Sequence, residues 1–191
     1  MRAFVAVRVV EPSVVEALRE AQRILSRGSS LRLTPPHQLH FTLKFLGEID
    51  ADRVDAAKAA VVQAAAGIPP FEVTLTGVGA FPRAASARVL WAGCSGGADQ
   101  LVSLGGRVES AFVAAGFAKD TRPFSPHLTV ARVREGGAGG RLAEAIRQEA
   151  GRAFGTIRVS EVALMKSVLG RSGADHSPVV VAPLTPGSAS G

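Results

Sequence analysis

The chain has 191 residues but only one cysteine, one tryptophan, two methionines, four histidines and no tyrosine. A single thiol, Cys94, excludes an internal disulfide and a cysteine-based structural zinc site, and it suits a reducing compartment. Long apolar runs are missing as well. The opening segment 1–10 is short and carries Arg2 and Arg8, unlike a signal peptide or a membrane span. A cytoplasmic protein without membrane association is therefore expected. Lysine is scarce, confined to Lys44, Lys58, Lys119 and Lys166, so arginine supplies most of the 22 basic residues that stand against 16 acidic ones, for a formal charge of +6. Guanidinium forks suit phosphate oxygens. A phosphate-bearing partner is favoured on that ground, against the plainer reading of an arginine-rich surface with no particular ligand.

Hydrophobic residues at 47% and charged residues at 20% place the chain among globular proteins. Its length allows one domain with a sizeable core, or two lobes sharing a cleft. Strand patterns cover 2–10, 39–46, 71–78, 88–92, 128–133, 156–168 and 178–182, separated by helical patterns over 12–27, 51–66, 99–115 and 142–154. In the second strand, alternation puts Phe41, Leu43 and Phe45 on one face and His40, Thr42 and Lys44 on the other. The glycine-rich segment 136–140 reads as a connector and Gly77-Val78-Gly79 as a turn. The expected architecture is α+β, two pseudo-symmetric lobes of mostly antiparallel sheet with outer helices around a central cleft. Residues 1–184 would form this single domain, and 185–191 a flexible tail.

Two of the four histidines lie in one repeated pattern, His40-Phe41-Thr42 and His127-Leu128-Thr129, 87 residues apart. Each is approached through prolines, Pro35 and Pro36 before the first, Pro123 and Pro126 before the second. On a strand, residues two apart share a face, so each unit presents an imidazole and a hydroxyl together. A lone His-x-Thr is commonplace in strands; two copies are not. Imidazole titrates near neutrality, so two of them flanking a phosphorus can serve as base and acid for an in-line displacement without a metal, while hydroxyls and an arginine hold the non-bridging oxygens.

The segments 40–47 (HFTLKFLG) and 125–132 (SPHLTVAR), with 1–7, 75–82 and 88–93 in the same order, resemble the paired motifs and flanking strands of the 2H phosphoesterase superfamily. Its RNA 2′,3′-cyclic phosphodiesterase branch, historically called 2′-5′ RNA ligase, is the most similar. The resemblance implies hydrolysis of an RNA or nucleoside 2′,3′-cyclic phosphate to a 2′-phosphomonoester, with His40 as proton donor and His127 as proton acceptor. Thr42 and Thr129 would bind phosphate oxygens and Arg132 would add a charged contact, with no metal and no cofactor. Strict alternation from His127 puts Arg132 on the wrong face, so that role requires a bulge or the strand's end to redirect it. The segment 170–178 lacks the aromatic, commonly tyrosine, that the family often carries there, and His176 stands in that region.

Other candidates have bland readings. His37 and His40 are three apart in an extended segment, which is no metal pair. His176 reads as a solvated loop residue, Cys94 as a thiol with no adjacent base, and Phe41, Phe45 and Trp91 as core. The chain is expected to act as a monomer on RNA ends or small cyclic nucleotides, with no obligate protein partner. Reversible 2′-5′ ligation, a phosphodiesterase for another cyclic phosphate such as that of ADP-ribose, and a non-catalytic RNA-binding module are the alternatives.

Overall fold

The computed structural model describes residues 1–136, 139–170 and 173–187. Its strands are β1 (Arg2–Arg8), β2 (Leu31–Leu33), β3 (His40–Glu48), β4 (Ala66–Gly67), β5 (Phe71–Phe81), β6 (Val89–Gly96), β7 (Leu128–Val133), β8 (Ala153–Val159), β9 (Glu161–Gly170), β10 (Gly173–Pro183) and β11 (Thr185–Pro186). The helices are α1 (Pro12–Leu25), α2 (Val54–Ala65), α3 (Ala98–Ala114) and α4 (Gly140–Gln148). None of them is long and apolar enough to cross a membrane.

Eight strands follow the order β10-β9-β1-β3-β7-β6-β5-β8, with β2 also paired to β7, and every pairing in this sheet is antiparallel. Two four-stranded halves thus meet where β3 lies beside β7, at the single opposed pair Phe41 and Leu128. The expected α+β architecture is present. The helices cover one face. There α1 buries Val14, Leu18, Ala21 and Leu25, the positions that recur at helical spacing. It follows β1 in sequence yet packs under β7 and β8 of the other half, while α3, which follows β6, packs against β3 and α2. These crossings interlock the halves.

Several boundaries differ from the pattern in the sequence, for identifiable reasons. The fourth helix stops at Gln148 rather than near Phe154, because the carbonyls of Glu149 and Arg152 are taken by the backbone amides of Val78 and Gly77 at 3.0 and 2.8 Å. Phe154 then begins the buried side of β8. The stretch expected as one strand over 156–168 breaks at Ser160, whose carbonyl accepts from Leu184. Gly77-Val78-Gly79 is no turn: it lies within β5, at a register shift where Gly77 has φ +75°. Of the expected tail, Thr185–Pro186 pairs in parallel with Ala66–Gly67, and residues 188–191 lie outside the described residues. So do residues 137–138 of the connector and residues 171–172, which follow β9 in sequence.

Candidate active site

The two His-x-Thr units are carried by neighbouring, oppositely directed strands, with His40 opening β3 and His127 immediately before β7. Phe41 faces Leu128 across the β3–β7 pairing, and both are fully buried on the helix side. The residues flanking them, His40 and Thr42, His127 and Thr129, are therefore carried on the other face, where the two strands meet. His40, Thr42, His127 and Thr129 are each partly exposed there.

Each threonine is followed by one extra residue. On β3, Ala6 is opposite Thr42 but Val5 is opposite Lys44, which leaves Leu43 as a bulge. On β7, Trp91 is opposite Thr129 and Leu90 opposite Ala131, which leaves Val130. A bulge resets the alternation. Two consecutive residues in each strand, Leu43 with Lys44 and Val130 with Ala131, are buried on the helix side, and the next residue, Phe45 or Arg132, returns to the site face. This corrects the simple alternation twice. Lys44 does not share the face of His40, and Phe45 is not core but 71% exposed. For Arg132 the bulge supplies the redirection its proposed role requires, on the face of Thr129.

Buried polar groups hold both bulges. The Lys44 ammonium donates to the Glu109 carboxylate at 2.5 Å, the Asp120 carboxylate at 3.0 Å and the Ala118 carbonyl at 3.0 Å, which satisfies its three donors. On the other side, the buried Gln22 amide of α1 donates to the carbonyls of Val130 and Thr34, both at 2.8 Å.

The two imidazoles are wired alike. His40 Nδ1 lies 2.6 Å from the carbonyl of Gln38, and His127 Nδ1 lies 2.8 Å from the carbonyl of Ser125. A carbonyl only accepts, so each Nδ1 carries a proton and donates it, which leaves Nε2 as the working atom of each ring. An aromatic ring flanks each: Phe4 at 5.0 Å from His40 and Phe81 at 5.3 Å from His127, between centroids. The rings also differ. Thr42 Oγ1 lies 3.1 Å from His40 Nε2 and donates to the neutral ring; among the described residues His127 has no such contact. Burial pushes the His40 pKa down to about 4, against the opposing effect of the Gln38 carbonyl and with a small contribution from the charge of His176. His40 is therefore neutral in the free protein at pH 7.

The solvated-loop reading of His176 does not hold. It lies in β10 opposite Ser167, with its ring 5.4 Å from that of His40 and 4.9 Å from that of Phe4. Its Nδ1 is buried without a hydrogen-bond partner among the described residues, and burial lowers its pKa, with Asp175 opposing and His37 assisting. No sequence periodicity marks it, since β9 and β10 are brought to β1 only by long-range pairing. His37 sits at the rim, 3.8 Å from Asp175, which also accepts from Gln38 at 3.0 Å. Trp91, expected in the core, is partly buried on the site face opposite Gly79, where a Cβ would lie 2.1 Å from its ring. Burial pushes the Cys94 thiol up to about 11, so it stays protonated and is a poor nucleophile.

The sequence model of the 2′-5′ RNA ligase superfamily matches residues 9–171. The chain belongs to that superfamily. Among its relatives in the 2′-5′ RNA ligase superfamily, the RNA 2′,3′-cyclic phosphodiesterase of Methanothermobacter thermautotrophicus is 32% identical over 95% of this chain and 97% of its own. The protein of the same name from Archaeoglobus fulgidus is 32% identical over 88% and 92%. Among solved structures, TT0787 of Thermus thermophilus superposes with a TM-score of 0.81 at 28% identity, covering 97% of this chain and 99% of that one. Escherichia coli LigT complexed with 3′-AMP gives 0.76 at 25% identity, covering 96% and 98%.

Proposed function

We propose that this protein hydrolyses the 2′,3′-cyclic phosphate of an RNA end or a nucleoside to a 2′-phosphomonoester, using His40 and His127 as an acid–base pair and no metal or cofactor. The observation that carries this reading is the matched geometry: two imidazoles on adjacent strands, each fixed through Nδ1 by the carbonyl two residues earlier, each with a threonine on the same face. The names and near-complete coverage of the superfamily relatives support the same reaction.

In the proposed step, His127 Nε2 takes a proton from water as its oxygen attacks phosphorus, the bond from phosphorus to the 3′ oxygen breaks, and His40 Nε2–H protonates that oxygen. Thr42 and Thr129 bind the non-bridging oxygens, where negative charge persists through the displacement, and Arg132 adds a charged contact to the substrate. Because burial keeps His40 neutral in the free protein, its acid form arises with substrate: the phosphate anion beside the ring offsets the cost of the buried charge.

One proton shared by the pair is needed, since a doubly protonated pair has no base. A doubly protonated pair requires a charged His40, which in the free protein forms only near its depressed pKa of about 4. The acid limb of kcat/KM is therefore expected near pH 4, rather than near the roughly 6.5 of an unperturbed imidazole. The test is turnover of adenosine 2′,3′-cyclic phosphate in excess chelator across pH 3 to 9. Hydrolysis that requires an added metal, or an acid limb at an ordinary histidine value, contradicts the reading. Binding of RNA without any turnover indicates a binding module instead.

A further inference from the structure

Arg32 faces a residue of its own charge. In the β2–β7 pairing it lies directly opposite Arg132, between the pairs Leu31 with Val133 and Leu33 with Ala131. Opposed residues in an antiparallel pair put their Cβ atoms about 5 Å apart on one face, and like charges there are destabilising. Carboxylates answer Arg8, Arg19, Arg23, Arg147 and Arg152. Among the described residues none answers Arg32 or Arg132.

The direction of Arg32 follows from its neighbours. Leu31 packs on the core, so Arg32 lies on the opposite face, the one that carries Thr129 and Arg132. Its guanidinium reaches the start of β10, since a Cβ on Gly173 would lie 3.5 Å from Arg32 Nη1. Three residues along that strand is His176, whose ring contacts His40. Arg32 therefore spans from β2 to the rim of the candidate site. Two facing guanidinium groups with no counter-charge, fixed on paired strands, are matched by an anion that bridges them.

The reacting phosphate is already provided for by Thr42 and Thr129. Past Thr129, beyond the bulge, Arg132 lies about 7 Å further along β7, comparable to the step between neighbouring phosphates of a nucleic-acid chain. Resting on the reaction proposed above, we propose that Arg32, with Arg132, binds a second phosphate of the substrate, the one on the 5′ oxygen of the nucleoside that carries the cyclic phosphate. The protein then selects a 5′-phosphorylated nucleotide or an RNA 3′ end over a bare cyclic nucleoside phosphate.

The test compares three substrates: adenosine 2′,3′-cyclic phosphate, the same compound with a 5′-phosphate, and a dinucleotide ending in the cyclic phosphate. The parent is expected to favour the second or third in kcat/KM by about ten- to thirtyfold, the effect of one charge-assisted phosphate contact. The second and third arms separate a terminal phosphate from the phosphodiester of a chain. Arg32→Gln should erase the preference through KM, leave the bare cyclic nucleoside within about twofold, and raise the ligand-free Tm slightly by removing the like-charge pair. Calorimetry reads the same contact without turnover: adenosine 2′,5′-bisphosphate should bind the parent at least about tenfold tighter than adenosine 2′-phosphate, and equally to Arg32→Gln. No preference in the parent, or an equal loss on all three substrates in the variant, overturns the proposal. Absence of turnover with the bisphosphate preference intact counts against the reaction and not against this site.

Discussion

His127→Ala is expected to lower kcat for a 2′,3′-cyclic phosphate by about 10²- to 10⁴-fold, the range for loss of a positioned general acid or base, with KM changed far less. His40→Ala should cost a similar factor. Because the two rings serve one displacement, the double variant should fall well short of the product of the two losses. Steady-state rates of the three variants on one substrate check this. A double variant with full turnover would remove the pair from the chemistry, whereas two independent losses that multiply would separate their roles. Gln38 and Ser125 hold the rings through their carbonyls alone, and the Gln38 amide reaches only Asp175 and His37 at the rim, so their side chains should tolerate substitution without a comparable loss.

The second large effect is expected at Lys44. Its side chain is 1% exposed, and it holds Glu109, Asp120 and the Ala118 carbonyl together. Lys44→Ala removes three hydrogen bonds and leaves two carboxylates side by side, so a loss of about 3 to 5 kcal/mol is expected, as for breaking other buried ion pairs. At this chain length that corresponds to a fall in Tm of roughly 10 °C. Lys44→Met keeps most of the aliphatic stem and should lose less. Burial works against ionisation of Glu109, but the hydrogen bond from Lys44 and the backbone amide of Asp120 outweigh it and hold the carboxyl below its ordinary value of 4.5. Stability from this clasp is therefore fully present above pH 4.5 and lost as pH falls through the lower folded value. In thermal melts across pH 7 to 3, the Tm gap between parent and Lys44→Met should be full at pH 7 and narrow as pH falls below 4.5. Since Lys44 follows the Leu43 bulge that orients Thr42, surviving Lys44→Ala protein should also lose about tenfold or more in kcat.

Lys44 also shows where the sequence stopped being legible. The strands β1, β3 and β7, the first three helices and the shared face of imidazole and hydroxyl within each His-x-Thr unit follow from local pattern: apolar spacing in α1, the prolines before each histidine, and β-branched and aromatic residues in those strands. The face of each residue beyond Thr42 and Thr129 does not. Alternation assigns Lys44 to the site and Phe45 to the core, and one extra residue at Leu43 reverses both. A bulge is a property of two paired strands, so a single strand's pattern does not contain it. Arg132 is the informative exception: strict alternation excluded it from the face of Thr129, the condition for its return was a bulge, and Val130 is that bulge.

Tertiary capture explains the remaining differences. The carbonyls that would have extended α4 past Gln148 are held by Gly77 and Val78 of β5, which no helical propensity in 142–154 reveals. His176 reaches His40 across β9 and β1, the late pair β9–β10 being laid against the first strand of the chain. Its polar loop-like sequence, with Ser177 and Pro178 following, pointed to solvent instead. Arg32 lay in a segment that carried no strand pattern at all, and only its pairing with β7 sets it against Arg132.

Whether both imidazoles act on a single phosphorus is tested most directly by a crystal structure of the protein with an adenosine vanadate, whose trigonal-bipyramidal centre mimics the displacement. His40 Nε2 and His127 Nε2 are each expected within about 2.6 to 3.2 Å of opposite apical oxygens, His40 on the 3′ oxygen and His127 on the water position. An adduct that engages only one of the two rings, or that places both on the same side of the vanadium, would contradict a shared displacement.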